Sequence, residues 1–295
     1  MHPKRWIATA ALAVAVSASA AEPRMKPFVL ASKAPGEIAG AAEQVREKLT
    51  AAGFVVAGSY APYDGAVVLA VTSPELQTAA AQSRFGGYAA AQRVSVTKIG
   101  DEVQVAYTNP IYMSAAYRMT ADLAPVAAKL EAALGKVEEF GPGEGQTTKG
   151  LRRYHYMIGM PYFDEPVRLA TFASQAEAVA AIEAGLAAGK GGTKKVYRVD
   201  VAAADEAVFG VALTQGCSGD RFIMKEVDFK PIRSTGHLPY EVLASKGEVY
   251  ALHAKFRIAV NFPDLSMMGA NSFMKIRCAP DAIEGALRQV VGASR

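Results

Sequence analysis

The sequence predicts an α+β protein made of two similar two-layer units, each an antiparallel sheet covered by helices. Three observations carry this expectation. Short alternating segments rich in Val, Tyr and Phe meet at tight glycine turns, as antiparallel strands do. Amphipathic helical stretches lie between them. The same order of elements also runs on both sides of residues 138–150, a Gly- and Pro-bearing stretch that breaks every periodicity and reads as a linker. The length of 295 residues suits two domains. With 51% hydrophobic and 20% charged residues, and 26 Gly and 15 Pro without a repeat, the composition excludes collagen, coiled coil and disordered chains.

In the first unit, residues 21–137, Phe28–Ser32 reads as a strand. Gly36–Gly53 reads as a helix with Ile38, Ala42, Val45 and Leu49 on one stripe. Strands follow at Phe54–Tyr60 and Ala66–Thr72, then a short helix from Pro74. Strands Tyr88–Lys98 and Glu102–Thr108 flank the turn at Gly100, and helices near Ile111–Met119 and Ala121–Leu134 close the unit.

The second unit, residues 151–295, starts with strands at Arg152–Met160 and Pro166–Phe172 and a helix over Ser174–Ala188. Strands follow at Lys194–Val201, Ala207–Leu213, Pro239–Ser245 and Glu248–Val260, the last two around Lys246-Gly247. Helices near Leu265–Lys275 and Ala279–Val291 complete it. Some letters match between units: Asp101-Glu102-Val103 with Gly247-Glu248-Val249, and Asn109-Pro110 with Asn261-Phe262-Pro263. The shared order of elements points to an internal duplication.

The N-terminus reads as an export signal. Lys4 and Arg5 precede an apolar run over Trp6–Val16, and small residues lead to a cleavage point after Ala20. Eleven apolar residues are too few to span a bilayer, so the mature chain is expected to have no membrane span and to be periplasmic. The formal charge of +4 falls to +2 when residues 1–20 leave with two cations and no acid. A near-neutral chain is not expected to seek nucleic acid or anionic lipid by its overall field. The only cysteines, Cys217 and Cys278, are expected to pair in an oxidising compartment.

The helix running into Ala52-Gly53-Phe54-Val55-Val56, then Val103-Gln104-Val105 and the Asn109-Pro110 step, resembles the bacterial family called domain of unknown function 302. The resemblance covers about a hundred residues of the first unit. It implies a small α+β unit, often paired, and no activity. The second unit departs from it: its helix lacks the Gly-Phe exit, and Phe262 splits the Asn-Pro pair.

No catalytic signature stands out. Gly216-Cys217-Ser218-Gly219 lacks the spacing of a nucleophile elbow. Gly189-Lys190-Gly191-Gly192-Thr193 follows a helix, whereas a phosphate loop follows a strand. Two candidate binding sets remain. In the predicted strand over Arg152–Met160, His155 and Met157 share a face, and together they suit copper or haem iron. Met267, Met268 and Met274 lie on the predicted penultimate helix, where Met267 and Met274 share a face, and core packing is the plainer explanation for these methionines than metal binding. In the predicted strand Glu248–Val260, His253, Lys255 and Arg257 form a cationic row that could hold an anionic ligand where the units meet; a solvated sheet face is the plainer explanation. Three function classes stay open: a non-catalytic exported protein binding a small molecule at the seam, a copper or haem carrier, and an enzyme with dispersed residues. N-terminal sequencing of the mature protein should begin at Ala21, and a retained Met1 would overturn the export reading.

Overall fold

The computed structural model describes residues 22–293, so the segment expected to be an export signal lies outside the described residues. The chain is α+β, with antiparallel sheets throughout. In the first half, β1 (Arg24–Met25) leads into β2 (Phe28–Pro35), α1 (Ile38–Ala51), β3 (Val55–Tyr60), β4 (Ala66–Thr72) and α2 (Pro74–Ala81). Then come β5 (Gln92–Ile99), β6 (Glu102–Thr108), α3 (Pro110–Ala116) and α4 (Ala124–Leu134). The connecting stretch carries β7 (Glu138–Phe140), β8 (Gln146–Thr147) and α5 (Thr148–Arg152). The second half runs β9 (Val167–Thr171), α6 (Gln175–Ala187), β10 (Thr193–Val201), β11 (Glu206–Leu213), α7 (Asp220–Val227), β12 (Tyr240–Ser245), β13 (Glu248–Ala251), α8 (Ala254–Asn261) and α9 (Ala279–Val290).

The larger sheet has the order β3-β4-β5-β6-β2-β7, and the smaller one β10-β11-β12-β13-β9. Apart from β7, each sheet places its first strand at the far side of its last hairpin strand, and the helices fall between corresponding strands. The hairpin turns agree as well: Gly100 and Gly247 both sit at positive φ between the central pairs β5–β6 and β12–β13.

Alternation along each strand builds the core. Ala207, Phe209, Val211 and Leu213 of β11 pack with Ile182 and Leu186 of α6 and with Ile283 and Leu287 of α9. On the opposite face, Val208 of β11 and Leu243 of β12 join the core of the first half, beside Leu69, Val94 and Tyr88. The two halves touch along the edge strands β3 and β10 and where the turn Gly86–Ala89 packs against β10, β11 and β12.

Several expectations fail for physical reasons. Residues 138–150 are no free linker: β7 pairs with β2, and β8 pairs with β1. The strand expected at Arg152–Met160 is absent. Thr147 accepts a hydrogen bond from the Gly150 amide and starts α5 instead, and no neighbouring strand offers a ladder to the residues that follow. The strand expected over Glu248–Val260 stops at Ala251, because the His253 ring accepts the Lys255 amide at 3.4 Å and caps α8. In α8 nearly every side chain is buried, so its apolar run carried no helical stripe to read. The helix expected over Leu265–Lys275 is broken where Gly269 takes φ +97°, a region that suits glycine, and Asn271 takes φ +50°. Helix equivalence also shifts the matched letters. Asn109 caps α3, whereas the corresponding cap of α8 is His253 and Asn261 ends that helix.

A buried ionic cluster joins the two sheets. Glu241 on β12 meets Arg93 on β5 at 2.9 Å and Arg257 on α8 at 3.4 Å, and all three side chains are about 1% exposed. Tyr197 donates to the same carboxylate at 2.5 Å, its ring lying across Gly210, where a Cβ would clash. Other guanidinium hydrogens find carbonyls and a phenol, while the Arg257 Nε has no hydrogen-bond partner among the described residues. Arg93 donates to Gly236, and Arg257 donates to His237, Pro239 and Tyr117. Burial and the two arginines push His237 well below the usual histidine range. Replacing Glu241 by Gln would leave two buried guanidiniums facing no carboxylate. The expected cost is about 3–5 kcal/mol, read from the urea-unfolding midpoint; a loss below 1 kcal/mol would refute the role.

Candidate functional site

The open space that gathers polar chemistry lies along α7, where the second half meets the β3–β4 connection of the first. Its position follows from two close approaches. At Gly58 on β3 a Cβ would lie 2.0 Å from the Val196 carbonyl, so only glycine lets the edges of β3 and β10 come together. A disulfide, Cys217–Cys278, fastens the turn before α7 to the start of α9. Ile223, Met224 and Val227 of α7 then face the core. The opposite face of the helix leaves a cleft of about 690 Å³ bordered by Tyr60, Pro62, Lys194, Lys195, Asp220 and Lys225.

Asp220 is the buried polar group of this cleft, 2% exposed. Its Oδ2 accepts from the Tyr60 hydroxyl at 2.9 Å and from the Leu213 amide at 3.3 Å, while Oδ1 makes no hydrogen bond among the described residues. Burial raises its carboxyl to about 7, against the pull of those two donors. Around it stand exposed cations. Lys195 pairs with Glu183 at 2.7 Å, and Arg221 faces Asp64 at 3.8 Å. Lys194 and Lys225 have no carboxylate within 4 Å among the described residues.

A second cleft of about 400 Å³ adjoins the first, sharing Arg221 and Lys225. At its base Asp228 accepts from the Ser234 amide at 2.6 Å, and Thr235 links Tyr63 and Thr97, each at 2.9 Å. Burial raises Asp228 to about 7 as well, against the Ser234 amide and Arg233. The two ends of α7 thus carry buried carboxyls, Asp220 at its start against Tyr60 at the end of β3, and Asp228 just past its end beside Tyr63 of the β3–β4 connection.

The residues singled out from sequence lie elsewhere and are not arranged as expected. His253, Lys255 and Arg257 do not form one strand face, since all three belong to the start of α8. Arg257 is in the ionic cluster, and His253 is a helix cap that burial and Lys255 hold below the ordinary histidine range. Lys255 borders a small apolar pocket of about 30 Å³ together with Met160 and Met267. His155 and Met157 are not on a strand face either. They lie in an irregular segment where the His155 Nδ1 is 2.8 Å from the Met157 carbonyl, and Met157 is exposed. The shared face that suggested copper or haem is therefore missing, and no cluster of three His, Cys, Asp or Glu suited to a metal occurs among the described residues. Cys217 and Cys278 are joined as expected.

Sequence reasoning missed Tyr60, Asp220 and all of α7. The nearest available signals were Cys217, three residues before Asp220, and the adjacent Lys194-Lys195 pair. Compared with protein families, with curated proteins and with solved structures, the chain matches none.

The raised carboxyl of Asp220 has a definite sign in stability. Unfolded, the group ionises near 3.8; folded, near 7. Its contribution is full below about pH 4 and declines as pH rises toward 7, where the buried form must ionise. Asp220→Asn copies the protonated carboxyl. The variant should match the parent at pH 4 and exceed it at pH 9 by about 2–4 kcal/mol in urea unfolding. Equal stability at both pH values would show that the carboxyl is not so shifted.

Proposed function

We propose that the chain is an exported, non-catalytic binding protein that holds a small anionic molecule in the α7 cleft, at the seam of two duplicated halves. The observation that carries this reading is the excess of positive charge there. Lys194 and Lys225 border a cleft large enough for a metabolite and lack carboxylate partners among the described residues. Ammonium groups so placed attract carboxylates or phosphates as point charges. The buried Tyr60–Asp220 bond ties the end of β3 to the start of α7 and so holds the two walls of the cleft together. Both walls are needed: β3 and its connection come from one half, β10 and α7 from the other. The matching strand orders support duplication as the origin of the seam, and the resemblance to the domain of unknown function 302 family supports a small repeated unit. The leader over residues 1–20 and the disulfide support a periplasmic setting.

A second reading, acid–base catalysis, is favoured by one observation: a carboxyl that titrates near neutrality sits at the cleft. Asp220→Asn separates the two, since it removes a proton carrier and keeps the binding cations.

Titration calorimetry against inorganic phosphate, citrate and succinate, with native mass spectrometry of protein taken from its own periplasm, tests the binding reading. At least one anion should bind. The double variant Lys194→Ala, Lys225→Ala should then weaken it by a factor of about 100 or more, each charged hydrogen bond being worth about 1.5–3 kcal/mol. No bound anion in either measurement, or an unchanged affinity in the double variant, would overturn it.

A further inference from the structure

A different surface carries an inference independent of the cleft. The irregular segment after α5 and the loop between α8 and α9 lie side by side, because Tyr156 and Met160 of the first share an apolar pocket with Leu265, Met267 and Phe273 of the second. Both turn large apolar side chains to solvent. Ile158 is 96% exposed and Met157 47%; Met268 is 78% exposed and Met274 44%. The loop holding the latter two is closed by its own backbone, the Phe273 amide donating to Ser266 and the Met274 amide to Met267. These four residues are half of the large hydrophobic side chains exposed among the described residues.

The apolar tip adjoins a basic recess. Tyr162, whose ring centroid is 4.5 Å from that of His155, lines a recess of about 690 Å³ with Arg118, Lys149, Arg152 and Arg153. The acids nearby are already engaged. Asp164 pairs with Arg118 at 2.6 Å, Glu165 accepts the Tyr162 amide, Glu22 accepts the Lys149 amide, and Asp264 pairs with Lys230. Lys149 and Arg153, and Lys275 and Arg277 on the neighbouring loop, have no ion-pair partner among the described residues.

Exposed apolar tips beside unpaired cations are what the boundary between headgroups and acyl chains receives from a protein that lies on a bilayer without crossing it. We propose that this surface docks the protein onto an anionic lipid membrane, with Ile158 and Met268 entering the acyl boundary and the Lys149–Arg153 recess facing the headgroups. Charge favours lipid over a second copy: an isologous contact here would set the same unpaired cations against each other. The near-neutral charge of the whole chain is no obstacle, because a surface potential acts within a Debye length and senses the local cluster.

The test is co-sedimentation of the mature full-length protein with vesicles of phosphatidylglycerol mixed with phosphatidylcholine, and with vesicles of phosphatidylcholine alone. Binding is expected to the first and to be much weaker on the second, and to fall with added salt. Lys149→Ala with Arg153→Ala should weaken it roughly thirtyfold, at about 1 kcal/mol per cation near an anionic surface. Ile158→Glu with Met268→Glu should abolish it while the thermal midpoint stays put, both sites being exposed. Absence of binding to the anionic vesicles, or binding unchanged by either double variant, would overturn the proposal. So would sedimentation velocity showing a dimer that the Glu substitutions dissociate, since that would give the surface to a second copy. None of these variants touches the α7 cleft, so anion binding there succeeds or fails separately.

Discussion

The carboxylate of Glu241 is the constraint on which the arrangement of this molecule turns. It lies on the central strand β12, between a guanidinium from the other sheet and another from α8, with almost no water-exposed surface to relieve any of the three. Charges this deep are tolerated only when geometry and hydrogen bonds leave little unmet. That requirement fixes the spacing of the two sheets. It also fixes the course of the chain before β12, since Gly236, His237 and Pro239 must turn their carbonyls toward Arg93 and Arg257. The same segment supplies Thr235, which bonds to Thr97 of β5 and to Tyr63, and so seats the β3–β4 connection against the second half. The walls of the α7 cleft follow from that seating.

Much of the fold was legible. β4 and β6 fall on their expected residues, and α6 begins close to its expected start, after Ser174, whose hydroxyl accepts the Glu177 amide. These elements have one wet face and one dry face, so periodicity reports them. Where the contrast vanishes, reading fails. Helix α8 is dry on nearly every side, and Arg257, one of the row that looked like solvated cations, is dry too, because Glu241 neutralises it from β12. The mistaken strand over Arg152–Met160 shows the converse. Aromatic and methionine residues gave it a strand-like composition, yet they sit on an exposed irregular segment that has no ladder to join.

The candidate site was less legible than the fold, because its parts are remote in sequence. Tyr60 and Asp220 are 160 positions apart, and neither belongs to a motif of fixed spacing. Lysines at a strand start and on a short helix look ordinary until the close approach at Gly58 sets them around one cleft. Cations that seemed to form a row were separated by a change from strand to helix, so Lys255 went to an apolar pocket and Arg257 to the interior.

The Cys217–Cys278 bond spans 61 positions that include α7, β12, β13 and α8. A protease in the surrounding medium would find its easiest purchase in the exposed loop after α8, within that span. A single cut there would yield two chains still tied at the base of α7 and the head of α9. The nicked molecule would keep its cleft wall anchored to the C-terminal helix, and its damage would stay hidden until a reductant let the pieces part.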